Sequence, residues 1–144
     1  MLEKYVQDFD PNVFLQELAA EKQITKKNAL EICRRAVPKE SYYQKKIIER
    51  LKKQFPDAYV FKISQGAYSH GGIPDIACIL GGHYFAFEVK RPVLGKVSRL
   101  QEAAIQKIRQ AGGTADVITW EEEAVRCILK RIKMEDKNAE KINI

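Results

Sequence analysis

The spacing of apolar positions changes several times along this chain, and each change predicts an element. From residue 11 to about 37 the spacing is helical, first over "NVFLQELAAEKQ" and then over "TKKNALEICRRAV", with Thr25 placed to cap the second helix. Pro38 closes this section, which reads as a small N-terminal helical appendage. Helical spacing resumes in "ESYYQKKIIERLKKQF", where Ile47, Ile48, Leu51 and Phe55 form an apolar stripe and Pro56 stops it. Gln44 falls near the middle of that stripe, one turn earlier, with Glu40 one turn beyond. Glu49 projects from the opposite side.

The period then drops to two. "AYVFKI" predicts a strand, and a Gly-rich loop, "SQGAYSHGGIP", follows it. Gly81-Gly82 stands between two apolar runs and predicts a hairpin. Along its second arm, "HYFAFEVK", Phe85, Phe87 and Val89 share one face and belong to the core. Tyr84, Ala86, Glu88 and Lys90 share the other. Ser98 can cap the helix "RLQEAAIQKIRQA", which Gly112-Gly113 ends. Leu100, Ala104, Ile105 and Ile108 are its expected buried stripe, and Gln101 lies within that stripe. "TADVITW" predicts another strand, and "EEEAVRCILKRIK" a last amphipathic helix with its acids at the N-terminus. The chain from Met134 is polar and expected to fray.

From residue 39 the order is therefore α-β-β-β-α-β-α. An antiparallel hairpin followed by a crossover helix and a further strand implies an α/β fold, a mixed sheet with helices on both faces. The expected divisions are 1–38, the appendage; 39–133, the core; and 134–144, a polar tail.

Composition narrows the class. With 144 residues, 45% hydrophobic and 31% charged, the chain suits one globular domain. No apolar run approaches the length of a membrane span, and the acidic start "MLEKYVQDFD" lacks the apolar stretch of a secretory signal. Cys33, Cys78 and Cys127 are odd in number and set in apolar patterns, as expected of reduced cysteines in an intracellular protein, cytoplasmic or nucleoid-associated. Neither a CxxC pair nor a His/Cys cluster is present to bind structural zinc. The net charge of +6 suits a polyanionic partner, though a soluble basic protein carries it equally well.

The hairpin carries the candidate chemistry. Glu88 and Lys90 alone could form an exposed ion pair on a solvated strand face, worth little. Asp75 changes that reading. It opens the first arm after Ile73-Pro74, and roughly equal arms around Gly81-Gly82 set it opposite the region of 88 to 90. Two close carboxylates repel unless a cation lies between them, and hard oxygen donors suit Mg²⁺ or Mn²⁺. A neighbouring lysine can steady a water or hydroxide and offset charge on a phosphate. Gln44 and Gln101, on two buried stripes, each need a hydrogen-bond partner.

These residues, "GGIPDIACIL", "YFAFEVKRP" and "SRLQ", resemble the VRR-NUC branch of the PD-(D/E)xK nuclease superfamily, which is similar to Holliday-junction resolvases and type II restriction enzymes. The resemblance covers about residues 40 to 120 and implies a restriction-endonuclease-like core. It further implies a Mg²⁺ (or Mn²⁺) site built from Asp75, Glu88 and the backbone carbonyl of Val89. Lys90 would orient the attacking water, and Gln101 would support the site. The family usually carries a glutamate early in the first core helix; here Gln44 stands at that position, so either Gln44 or Glu40 would complete the metal set. DNA contacts are expected from Lys45, Lys46, Lys62, His70, Arg91, Lys96 and Arg99, mostly to phosphate. The implied activity is hydrolysis of branched or structured DNA by a homodimer. The alternative is a catalytically weak or inactive module that keeps the fold for binding DNA or protein. Nucleotide hydrolysis lacks a phosphate-cradling Gly-rich motif before a helix.

Overall fold

The computed structural model describes residues 10–64 and 71–142. Two short helices come first, α1 (Pro11–Lys22) and α2 (Lys26–Ala36), followed by the long helix α3 (Glu40–Gln54). Strands β1 (Tyr59–Lys62), β2 (Ile76–Leu80) and β3 (His83–Val89) form a meander. Helix α4 (Arg99–Gln110) crosses to β4 (Thr114–Ile118), and α5 (Glu121–Ile142) closes the chain.

The sheet order is β1-β2-β3-β4, antiparallel within the meander and parallel between β3 and β4. Leu80 pairs with His83, so Gly81 and Gly82 alone make the turn. Both have positive φ, 58° and 77°, the backbone that a two-residue hairpin with the native twist requires.

Alternation along β3 sends its residues to two different cores. Phe85, Phe87 and Val89 join Tyr43, Ile47 and Leu51 of α3 and Ala124, Val125 and Ile128 of α5. Burying each large apolar side chain there contributes about 1.5–3 kcal/mol. On the opposite face Ala86 meets Ile105 of α4 and Ala115 of β4. The Glu88 face of β3 is thus roofed by α4, and the solvated-face reading of that alternation fails. The mixed α/β architecture, with helices on both faces, is as the sequence predicts.

Two expectations need correction. Leu100 is 63% exposed rather than buried, because it lies in the first turn of α4, ahead of the point where Ile105 reaches the sheet. The polar residues after Met134 continue α5 to Ile142 instead of fraying. Their helix-forming Lys, Glu and Ala content, and the Arg131–Glu135 pair one turn apart, carry the helix on without a buried face.

The first two helices have their own small core of Leu15, Ala19, Ala29 and Cys33. Cys33 and Cys78 are buried, Cys127 is half-buried, and all three are free thiols. No helix among the described residues is long and apolar enough to cross a membrane.

Candidate active site

The candidate residues converge at the carboxyl end of β3, where the strand leaves β2 and keeps its parallel partner β4. Beyond the last pair of the β2–β3 ladder, Ile76 with Phe87, Asp75 comes opposite Glu88. Its Oδ2 accepts from the Val89 N–H at 2.8 Å, and its carbonyl accepts from the Ile63 N–H at 2.8 Å. Asp75 is therefore fixed by both neighbouring strands. Lys90, just past β3, is anchored by its N–H to the Ile118 carbonyl at 2.9 Å.

Glu88 is 2% exposed. Its Oε1 accepts from Gln101 Nε2 at 2.6 Å and lies 3.3 Å from Lys90 Nζ. The Gln101 amide is itself oriented by a reciprocal cap: its Oε1 accepts from the Ser98 N–H at 2.9 Å, and its own N–H donates to Ser98 Oγ at 3.2 Å. A residue that caps α4 thus also grips the buried acid, which the "SRLQ" spacing could signal and helix phase alone could not. Gly72 (φ +93°) lies against this turn, where a Cβ would fall 2.5 Å from the Leu100 carbonyl carbon and oxygen.

Burial, then the Asp75 charge, pushes the Glu88 carboxyl up to about 7, with Lys90 opposing and Glu40 reinforcing the shift. Burial and then Asp75 likewise raise Glu40, against the pull of Lys90, Arg91 and Lys62. Glu40 therefore faces the same charges from the first turn of α3. One turn on, Gln44 is 6% exposed, as its phase predicts. Among the described residues two buried side-chain oxygens lack a hydrogen-bond partner, Gln44 Oε1 and Glu88 Oε2. An oxygen left so is costly unless something positive meets it.

These donors are all oxygens, the set that Mg²⁺ or Mn²⁺ favours over softer metals. Among the described residues no three of His, Cys, Asp and Glu cluster at ligand spacing. A cation here would therefore rest on two carboxylates completed by amide or carbonyl oxygen. The residues fit such an ion: Asp75 acts on both Glu88 and Glu40, Glu88 meets Lys90 through one oxygen only, and its other oxygen has no partner.

The expected DNA-contact residues do not all gather here. Lys62 is exposed and acts on Glu40, and Lys96 and Arg99 are exposed beside the start of α4. Lys45 is exposed and 3.9 Å from Glu49, which projects away from the core as its phase predicts. Lys46 lies over the Tyr42 ring and feels Glu121 and Glu122, toward the start of α5 instead of the acids. Arg91 is already engaged: Nε donates to the Pro38 carbonyl and Nη2 to the Val37 carbonyl, each at 2.8 Å. His70 lies outside the described residues.

The architecture matches a solved structure described as a VRR_NUC domain, with 27% identity, a TM-score of 0.50, and coverage of 62% of this chain and 92% of that one. The chain has a PD-(D/E)xK nuclease-like fold. A looser likeness is to Hjc, a Holliday junction resolvase from Archaeoglobus fulgidus, at 23% identity and a TM-score of 0.44, covering 56% of this chain and 68% of that one. No protein-family model matches the chain, and no curated protein does. Proteins with this nuclease-like fold are typically metal-dependent.

Proposed function

We propose that this chain is a Mg²⁺- or Mn²⁺-dependent DNA endonuclease acting on branched or structured DNA, with residues 39–133 as its nuclease core and 1–38 as an appendage. The observation that carries the reading is Glu88: a buried carboxylate, gripped through one oxygen by Gln101 and Lys90, with its other oxygen unpartnered and the Asp75 charge acting on the group. Burying a carboxylate at such cost suits a functional group better than a structural one.

Asp75, Glu88, the Val89 carbonyl and Gln44 or Glu40 would hold the cation. When bound, the cation supplies positive charge at the scissile phosphate and makes a water more acidic. Lys90 orients the attacking water and offsets charge gathering on phosphate oxygens. Gln101 keeps the Glu88 carboxylate from rotating, and Lys62, Lys96 and Arg99 supply cations for backbone phosphates. A homodimer would bring two such sites to two strands; its test is a mass in solution twice that of the chain.

Incubation with duplex, single-stranded and four-way-junction DNA in Mg²⁺ or Mn²⁺ tests the reading, with cleavage of the junction expected. Binding without cleavage in either metal would favour the second reading, an inactive DNA-binding module. Gln44 is what favours that alternative, since an amide contributes no negative charge to the cation.

The first core helix offers a direct test. Gln44→Glu is expected to raise cleavage and tighten Mg²⁺ binding by roughly tenfold, the scale on which one supporting group acts. Unchanged values for Gln44→Glu, together with loss in Glu40→Ala, would move the ligand role to Glu40. Arg91→Ala is expected to cut the hydrolysis rate about tenfold with little change in DNA affinity, because its two hydrogen bonds seat the turn that carries Glu40. A changed affinity with an unchanged rate would return Arg91 to the phosphate contacts.

A further inference from the structure

The nuclease core leaves α1 and α2 unexplained. Their connection is tight. Gln23 takes a left-handed backbone (φ 54°, ψ 44°), and its N–H returns to the Ala19 and Ala20 carbonyls. The Ile24 N–H bonds the Ala19 carbonyl at 2.9 Å, and Thr25 Oγ1 caps α2 through the Asn28 N–H at 3.1 Å. Twelve helical residues, a three-residue turn and eleven more make a short-turn helix pair, a connection found both in αα-hairpins and in helix pairs that dock on duplex DNA.

Charge is divided unevenly between the two helices. Helix α2 carries four cations (Lys26, Lys27, Arg34, Arg35) against one acid (Glu31), whereas α1 carries Glu17 and Glu21 against Lys22. Ala29 and Cys33 turn one side of α2 into the small core. Helical phase then directs Lys27, Arg34 and Arg35 outward, and all three are exposed. Arg34 pairs with Glu31, an exposed ion pair that a phosphate can replace.

This basic face is also tied to the candidate site. Arg91, the residue after Lys90, bonds the Val37 and Pro38 carbonyls that join α2 to α3. Val93 and Leu94, next along, pack against the small core of α1 and α2. Val93 does so at φ +64°, a backbone that β-branched residues rarely adopt, so the loop is bent to make the contact. A spacer needs neither a basic outer face nor a fixed register to Lys90.

We propose that α2 is a second DNA-docking element, with Lys27, Arg34 and Arg35 taking backbone phosphates of a duplex whose neighbouring segment lies in the nuclease site. The proposal deepens the DNA reading and rests on it. The fit is one of charge, a cationic helix face against a polyanion, and its contacts are independent of base sequence.

The test uses the full chain carrying Asp75→Ala, so that DNA is bound and not cut. Fluorescence anisotropy with a 30-base-pair duplex is followed from low to moderate salt. Lys27→Ala/Arg34→Ala/Arg35→Ala is expected to weaken binding about tenfold or more and to lower the slope of log Kd against log salt by about 2–3. Lys27→Arg/Arg34→Lys/Arg35→Lys, which keeps the charge, is expected to restore both. Without the Asp75 substitution, the triple alanine variant should raise KM and leave kcat unchanged. An unchanged Kd and salt slope would overturn the proposal, as would a fall in kcat at unchanged Kd. If the wild-type chain cuts no DNA but the triple variant still loses affinity, docking stands and the hydrolytic reading alone falls.

Discussion

Asp75→Ala is expected to lower DNA hydrolysis by a factor on the order of 10³ or more while leaving the DNA dissociation constant within about threefold. The carboxylate does two things here: it places negative charge beside Glu88, and its Oδ2 accepts the Val89 N–H. Alanine removes both and orphans a backbone donor, at about 1–3 kcal/mol of stability. Asp75→Asn separates the two, since its amide oxygen can still accept from Val89 while the charge is gone. It should therefore keep the stability and lose the activity. Lys90→Ala is expected to match the loss in rate but to have the opposite effect on Glu88. Asp75 raises the Glu88 carboxyl and Lys90 lowers it, so the first variant makes Glu88 more acidic and the second less so. Carboxyl titration by NMR reads that difference. Cleavage surviving either substitution would remove these residues from the chemistry.

A second large effect concerns pH. The Glu88 carboxyl goes from 4.5 to about 7 on folding, so the folded protein holds its proton more tightly than the unfolded chain does. Its contribution to stability is fully present below about pH 4.5 and is lost as pH rises to about 7, on the order of 3 kcal/mol in the metal-free protein. Glu40 and Glu123, both raised by burial, slope the same way. Glu88→Gln should remove the Glu88 part of this slope and leave the remainder. Mg²⁺ should stabilise the wild-type protein more at pH 8 than at pH 5.5, because only the ionised carboxylate offers both oxygens to a cation. Urea unfolding at the two pH values, with and without Mg²⁺, checks both statements. An equal Mg²⁺ effect at both pH values would count against Glu88 as a ligand.

The hairpin was legible in the sequence because its register follows from the turn alone. Two glycines allow a two-residue loop, and the loop then sets Asp75 opposite Glu88. Gln44 was legible through helix phase, which buries it with Ile47 and Leu51. What stayed hidden depended on neighbours distant in the chain. Nothing local in "HYFAFEVK" says that α4 will cover the Glu88 side, and the apolar stripe of α4 runs through Leu100 one turn beyond the part that meets the sheet. Arg91 was equally opaque. Basic residues near an acid cluster suggest phosphate, but its acceptors are carbonyls 53 and 54 positions earlier. The polar end of α5 misled for a different reason: helix propensity and ion pairs sustain it without the amphipathic signal that identifies buried helices.

Gly72 bears on how this protein could change over evolution. Core positions such as Ile47 or Phe87 can be exchanged for others of similar volume with compensation nearby. No side chain can be added at position 72 while its backbone stays against the Leu100 carbonyl. Diverged relatives that keep this architecture should therefore retain the glycine before Pro74 and the Ser98-to-Gln101 spacing longer than most of their core. A search profile weighted on those positions would recognise them across distances at which overall identity has faded.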